Sequence, residues 1–247
     1  MYEDQLVKLY CGDAGTILPE IPRRSVDFIF TDPPYERIYA PDGATTSRPT
    51  RPIAGTGAES DHWAKVLFWE AVRVLKLGAW IACCAAGGNT TQPYRWIGYM
   101  DEAGLANRKI IVWDKVQMGM GYIYRHQYES ILVGQVPGGN NKWYGGRYVS
   151  DVVRVMGGCL DKASHPTVKP VALVQRFLSW HTLPGDLVLD PFAGSGSTLV
   201  AAKSMGRRAI GIEIDRRWCV QAARRLAQVT VPEAMSTPTQ IAMEDEL

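Results

Sequence analysis

Short apolar runs alternate with stretches in which apolar residues return every three or four positions, and the alternation repeats along most of the chain. Val26-Asp27-Phe28-Ile29-Phe30 reads as a buried strand, halted at Asp32-Pro33-Pro34 because proline brings no N–H to a ladder. Trp63, Val66, Leu67, Ala71, Val74 and Leu75 fall at helical spacing and predict an amphipathic helix capped by Asp61 and stopped by Gly78. Residues 79–85 then read as a strand, a helix opened by Thr91 and Pro93 closes near Gly104, and 109–113 form a third strand. Further on, Pro170 opens a helix with Leu173, Val174, Phe177 and Leu178 on one face. It is followed by a strand at 186–190, a helix at 198–205, a strand at 209–214 and a last helix marked by Cys219, Ala222, Ala223 and Leu226. Such alternation predicts βαβ units, hence an α/β fold with a doubly wound, mostly parallel sheet.

Three stretches break the pattern. Residues 36–60, rich in Pro, Gly, Thr and Ser, keep neither period and read as a long loop. Residues 115–163 hold nine glycines, six Tyr or Trp and six Lys or Arg against three acids, which marks an insertion or small subdomain. From about 230 to 247, Pro, Thr, Ser and acidic residues suggest a frayed tail.

Composition narrows the class without naming a function. The 247 residues are 46% hydrophobic and 21% charged, which excludes disorder for the bulk of the chain. No apolar run approaches the roughly 18 residues that cross a bilayer, and the start lacks the basic and apolar regions of an export signal. Five cysteines without a C-x-x-C pair argue against a disulfide framework or a zinc site, so a reducing, cytoplasmic setting and no metal are expected. With 27 Lys+Arg against 25 Asp+Glu, any contact with nucleic acid has to come from a local patch.

Two loops carry candidate chemistry. In Asp190-Pro-Phe192-Ala193-Gly194-Ser-Gly196-Ser197-Thr198 a strand gives way to a glycine turn and a helix start, and Glu213 ends the next strand 19 residues after Gly194. Glycines let a ligand approach the backbone beyond a strand's carboxyl end, and an acid at that distance can accept both hydroxyls of a ribose, so a nucleoside-containing cofactor is indicated. Leu199 stands where the dinucleotide fingerprint has its third glycine. That favours a ligand without pyrophosphate, such as S-adenosylmethionine, over a nicotinamide. In Asp32-Pro33-Pro34-Tyr35 the carboxylate and the Pro33 carbonyl form a preorganised pair of acceptors suited to an amino group with two hydrogens, and Tyr35 offers a stacking face. Each loop can also be read plainly: a tight turn in one case, a strand-ending loop in the other.

Together the two motifs resemble the S-adenosylmethionine-dependent amino-methyltransferases of DNA. Cys11-Gly12-Asp13-Ala14, His165-Pro-Thr-Val-Lys169-Pro170 and Gly211-Ile-Glu213-Ile-Asp215 resemble further motifs of that family, in an order similar to its beta group, and the likeness runs from about residue 6 to 226. It implies a Rossmann-like methyltransferase fold with permuted motif order: a catalytic half at 1–114, a target-recognition insertion at 115–163 and a cofactor half at 164–229. It implies that Asp32, Pro33, Pro34 and Tyr35 grip a target base flipped out of double-stranded DNA. Phe192, Ala193, Gly194, Gly196, Ser197 and Thr198 would line the cofactor pocket with Asp190, Glu213 would hold the ribose, Asp13 would lie near the adenine, and Lys169 would neutralise the cofactor's carboxylate. His165 reads as structural. Arg125, Lys142 and Arg147, with Arg48 and Arg51 of the long loop, are the candidate phosphate contacts, and rings such as Tyr124, Tyr128 and Trp143 interleave with the cations of the insertion. Arg216, Arg217, Arg224 and Arg225 on the last helix read as a solvated face.

The expected reaction is site-specific methylation of the N6 amine of adenine in a bacterial or phage-infected cell. Cytosine N4 methylation is the close alternative, although its enzymes more often carry serine at the position of Asp32. RNA or protein amine methylation, a nicotinamide oxidoreductase and a silent nucleic-acid binding module are further readings. A homodimer and a restriction-enzyme partner stay open.

Overall fold

In the computed structural model, which describes residues 1–34, 57–86, 91–119, 123–157 and 168–231, all nine strands form one sheet. The order of elements is β1 (Tyr2–Glu3), β2 (Val7–Cys11), α1 (Ala14–Ile17), a 3-10 turn, β3 (Val26–Thr31), α2 (Gly57–Val74), β4 (Leu75–Ala85), α3 (Gln92–Glu102) and β5 (Ala106–Asp114). Then follow β6 (Tyr128–Gln135), β7 (Val152–Arg154), α4 (Val171–His181), β8 (Leu187–Asp190), α5 (Ser197–Ser204), β9 (Arg208–Glu213) and α6 (Arg216–Ala227). The sheet order is β1-β2-β9-β8-β3-β4-β6-β5-β7. Five of its eight pairings are parallel; β1 with β2, β4 with β6 and β5 with β6 are antiparallel.

Helices cover both faces, which is why the inner strands are apolar on both sides. Leu173, Val174, Phe177 and Leu178 of α4 pack with Leu199, Ala202, Ala222 and Leu226 of α5 and α6 over Phe28, Phe30, Ala82, Cys84 and Val188. On the other face Ala64, Leu67, Phe68 and Ala71 of α2 and Trp96 and Met100 of α3 pack over Ile29, Ile81, Cys83 and Leu189. Phe28 and Phe30 against Ile29 is the period-two alternation of a strand buried on both faces. Each fully buried large side chain contributes about 1.5–3 kcal/mol, so the helix faces account for most of what holds the layers together.

Three expectations need correction. Asp61 lies inside α2 and not at its cap; its carboxylate takes the Arg95 guanidinium at 3.0 Å and the Trp96 indole at 2.9 Å, tying α2 to α3. Gly78 does not stop the helix, because β4 begins at Leu75 directly after α2. Gly78 sits within the strand at φ +78°, where a Cβ would lie 2.0 Å from the Asn140 carbonyl. The stretch 115–163, expected as an insertion, supplies β6 and β7 to the sheet itself, with β6 between β4 and β5. Its run Ile131-Leu132-Val133 is a buried strand whose signal is hidden by the glycines and tyrosines around it.

The strand order also fixes where a ligand can sit. From β3 the chain moves through α2 to β4 on one side, and from β8 through α5 to β9 on the other. Strands β3 and β8 are neighbours, with Phe28 opposite Val188 and Ile29 opposite Leu189. This is a topological switch point, and the crevice beyond its carboxyl ends is the usual ligand site of such sheets. Asp32-Pro33-Pro34 leaves β3 there and Asp190-Pro191-Phe192 leaves β8 beside it.

Candidate functional site

The two loops are joined at their roots. The Thr31 hydroxyl donates to Asp190 Oδ1 at 2.8 Å, and the Phe192 N–H donates to the same oxygen at 3.1 Å. Asp190 is buried, and burial raises its carboxyl to about 6 despite hydrogen bonds from Thr198, Thr31 and Phe192 that favour the ionised form. The Ala193 N–H donates to the Ile212 carbonyl, and the Gly196 N–H closes the turn onto Ala193. Gly194 and Gly196 take left-handed φ values of 51° and 82°. A Cβ on Gly196 would meet Ala222 at 2.9 Å, whereas one on Gly194 would meet nothing within 4 Å, so Gly194 borders open space.

Glu213 holds this loop from the end of β9. Its Oε2 accepts the Gly194 N–H at 2.8 Å and its Oε1 accepts the Asp215 N–H at 2.7 Å. Burial pushes its carboxyl up, and the two backbone donors only partly offset that. Each carboxylate oxygen has a second lone pair, so the acid can anchor the turn and still accept from a diol. Asp13 caps α1 through the Gly15 N–H at 3.0 Å, and Gly12 donates to the Glu213 carbonyl at 2.9 Å, which puts the β2 loop beside β9. Phe192 meets Trp63 of α2 edge-on at 5.9 Å. Trp63 also comes near Gly15, where a Cβ would lie 3.2 Å from its ring. Helical spacing marks Trp63 only as a core residue and gives no sign of this wall.

The missing third glycine has a physical counterpart. Leu199, on α5, packs so closely on β9 that a Cβ at Gly211 would stand 2.6 Å from it. The glycine that permits helix–strand approach is on the strand. Among the four arginines of α6 read as a solvated face, Arg225 instead donates to the Ser195 carbonyl at 2.7 Å and to the Ser197 hydroxyl at 3.3 Å, bracing the glycine turn.

On the β3 side, Pro33 is buried and Asp32 half-buried. Lys169, 7% exposed, reaches Asp32 Oδ2 at 2.5 Å. The sequence placed this ammonium on the cofactor; in the structure it goes to the neighbouring carboxylate. Tyr35, Arg48, Arg51 and His165 lie outside the described residues.

The candidate phosphate contacts separate. Arg125 is exposed on the segment between β5 and β6, at the same edge as Asp32, and donates to the Gly119 carbonyl at 2.9 Å. Exposed Met118, Ile123 and Tyr124 share that segment. Lys142 is elsewhere: its ammonium pairs with buried Asp27 at 2.5 Å. Asp27 lies near the start of β3, about 16 Å of strand from Asp32 at roughly 3.3 Å per residue, so Lys142 faces the opposite edge of the sheet. Arg147 is exposed nearby in sequence. Trp143, one of the supposed base-facing rings, packs against Trp80, Trp180 and His181.

Comparison with known proteins gives the arrangement a family. A family model described as DNA methylase matches residues 137–224. A protein of Escherichia coli strain K12, described as "Putative methylase YubD", is 34% identical over 221 residues, 88% of this chain and 89% of its own. The chain belongs to the N6/N4 family of S-adenosylmethionine-dependent DNA methyltransferases. The type II methyltransferase M2.DpnII of Streptococcus pneumoniae is 28% identical over 91% of each chain. Among solved structures, TTHA0409 of Thermus thermophilus, a DNA modification methylase by description, is 25% identical with a TM-score of 0.68, over 92% of this chain and 97% of that one. The cytosine-N4-specific PvuII DNA methyltransferase has a TM-score of 0.70 at 17% identity, over 94% and 90% of the two chains, and so shares the fold. The family uses S-adenosylmethionine. The residues present fit it: an open glycine turn, a buried acid with lone pairs to spare and an apolar wall of Phe192 and Trp63. Among the described residues no His, Cys, Asp or Glu cluster could hold a metal, and no helix is long and apolar enough to cross a membrane.

Proposed function

We propose that this DNA methyltransferase is site-specific and acts on the N6 amine of adenine. The observation that carries the reading is the junction at the switch point, where Asp32 and Pro33 stand beside the glycine turn through the Thr31–Asp190 hydrogen bond. A donor cofactor in the turn and an amine at Asp32 would then meet across one crevice.

S-adenosylmethionine supplies an electrophilic methyl group on a sulfonium. Glu213 accepts from its ribose, and the Gly194 turn lets the ligand lie close to the backbone. An exocyclic amine is a weak nucleophile because its lone pair is delocalised into the ring. The Asp32 carboxylate and the Pro33 carbonyl accept its two hydrogens, which favours rehybridisation and stabilises the ammonium that develops as the methyl group arrives. A base stacked in a duplex cannot reach this crevice, so the target is flipped out at a cost of a few kcal/mol, with Tyr35 as its stacking partner. DNA lies across the carboxyl edge, where Arg125, Tyr124 and Ile123 are exposed. The carboxylate at Asp32, where cytosine N4 enzymes more often carry serine, favours adenine.

Modified-base sequencing of DNA from cells expressing the protein tests site specificity. Methylated adenines should share one short motif. Methylation scattered without a motif, or absent, would overturn the proposal.

A further inference from the structure

Four charged side chains run in an alternating line from the edge of the sheet to Asp32. Lys115, the first residue after β5, pairs through its ammonium with Glu129 Oε1. Glu129, in β6, has its Oε2 3.3 Å from the Lys169 ammonium, and Lys169, two residues before α4, reaches Asp32 Oδ2 at 2.5 Å. Two cations and two anions cancel, which is what lets Lys169 and Glu129 lie so far from water. Burial alone would lower the proton affinity of the Lys169 ammonium; the carboxylates of Asp32 and Glu129 outweigh it and hold the group firmly charged. Glu129 stays ionised for the reciprocal reason, the cations of Lys169 and Lys115 overcoming its burial.

We propose that Lys169 and Glu129 are positioning residues for Asp32: the ammonium fixes the plane of the Asp32 carboxylate so that it meets the target amine, and Glu129, braced by Lys115, fixes the ammonium. The inference rests on the proposed function and deepens it. A carboxylate at the end of a strand can rotate about its side-chain bonds, and a buried ammonium on one of its oxygens removes that freedom. The ammonium would be equally free without a second anchor. Glu129 provides one from the middle of the sheet, since its backbone pairs with Trp113 in the β5–β6 ladder. Its Oε2 has no donor in hydrogen-bond geometry, so its hold on Lys169 is the ion pair alone. Lys115 then ties the line to the segment bearing Arg125, Tyr124 and Ile123. That segment returns to the sheet through the Lys115 N–H on the Gln127 carbonyl at 2.9 Å. DNA lying on it would therefore bear on the residues that orient Asp32.

The test is Glu129→Gln, which keeps the shape and removes the charge. Methyl transfer to duplex DNA is measured at saturating cofactor and DNA, with cofactor affinity by calorimetry and melting temperature alongside. Turnover should fall about 10- to 100-fold, as expected when a reacting group is misplaced by an ångström. The KM values for cofactor and DNA should hold within about threefold, and melting should stay near that of the wild type. Lys169→Met should lose turnover in the same way, Lys169→Arg should restore part of it, and the double variant Lys169→Met/Glu129→Gln should be no slower than Lys169→Met alone, because both act through one ammonium. Turnover of Glu129→Gln within about twofold of the wild type would overturn the inference. So would a Lys169→Met protein that loses cofactor affinity yet turns over fully at saturation, since the lysine would then serve the cofactor. Both results leave the proposed function standing, whereas a wild-type protein that moves no methyl group to DNA would overturn that function and this inference with it.

Discussion

Replacing Glu213 by Ala tests the cofactor crevice where its structure is most specific. The side chain accepts two backbone N–H groups, from Gly194 at 2.8 Å and from Asp215 at 2.7 Å, and its remaining lone pairs face the space beside Gly194. Alanine removes the ribose acceptor and releases the turn together. A hydrogen bond to a charged group contributes about 1.5–3 kcal/mol, so the loss of one such ribose contact raises the dissociation constant of S-adenosylmethionine roughly 10- to 150-fold. Release of the turn adds to this, because the ligand then has to order Gly194 as it binds. Glu213→Gln should not rescue fully: one oxygen becomes an NH2 that faces the N–H of Gly194 or Asp215, donor against donor. Calorimetry without DNA reads the affinity directly, and melting reads the loop's share. Unchanged affinity in Glu213→Ala, with the fold intact, would refute the reasoning and take Glu213 out of the site.

Asp32→Ala should leave cofactor affinity within a few-fold and abolish methyl transfer, measured with labelled methyl donor on duplex DNA; turnover near that of the parent would reduce Asp32 to a strand-end residue. Asp190 makes stability depend on pH. Its folded pKa of about 6 lies above the unfolded carboxyl value of 3.8, so the folded state binds the proton more tightly and stability falls as pH rises through that window. Relative to Asp190→Asn, the wild type should lose about 3 kcal/mol between pH 3.5 and 7 in denaturant melts, and parallel curves would contradict this. Lys142→Ala should cost about 1–3 kcal/mol of stability, with Lys76 still paired to Asp27 at 2.8 Å, and should leave the salt dependence of DNA binding unchanged. Arg125→Ala should lower that salt slope by about 1 in filter-binding titrations, and an unchanged slope would move the DNA surface away from the β5–β6 segment.

What the sequence disclosed follows from how local each signal is. Asp32-Pro33-Pro34 and the Gly194–Gly196 turn were legible because proline and glycine restrict or free the backbone where they stand, whatever lies around them. The helices α4 and α6 were legible from spacing, since their buried faces need only the 3.6-residue period. Partners far along the chain were not. Lys142 carried the composition of a phosphate contact, but its ammonium goes to Asp27, 115 residues away, inside a strand whose acid has no local sign of needing a cation. Lys169 likewise finds Asp32 across 137 residues. Glu129 and Arg225 looked like surface charges and proved to be tied into the site's frame because β6 enters the sheet and α6 packs beside the turn. The antiparallel place of β6 rested on the same blindness: its apolar run was present, and only the assembled ladder says which strands it separates.

The chemistry of the product tests the central claim most directly. DNA incubated with the protein and S-adenosylmethionine, digested to nucleosides and resolved by mass spectrometry, should contain N6-methyladenine, and the Asp32→Ala protein should leave none. N4-methylcytosine as the methylated nucleoside, or methyl groups appearing in RNA or protein but not in DNA, would contradict the assignment of Asp32 and Pro33 to the adenine amine.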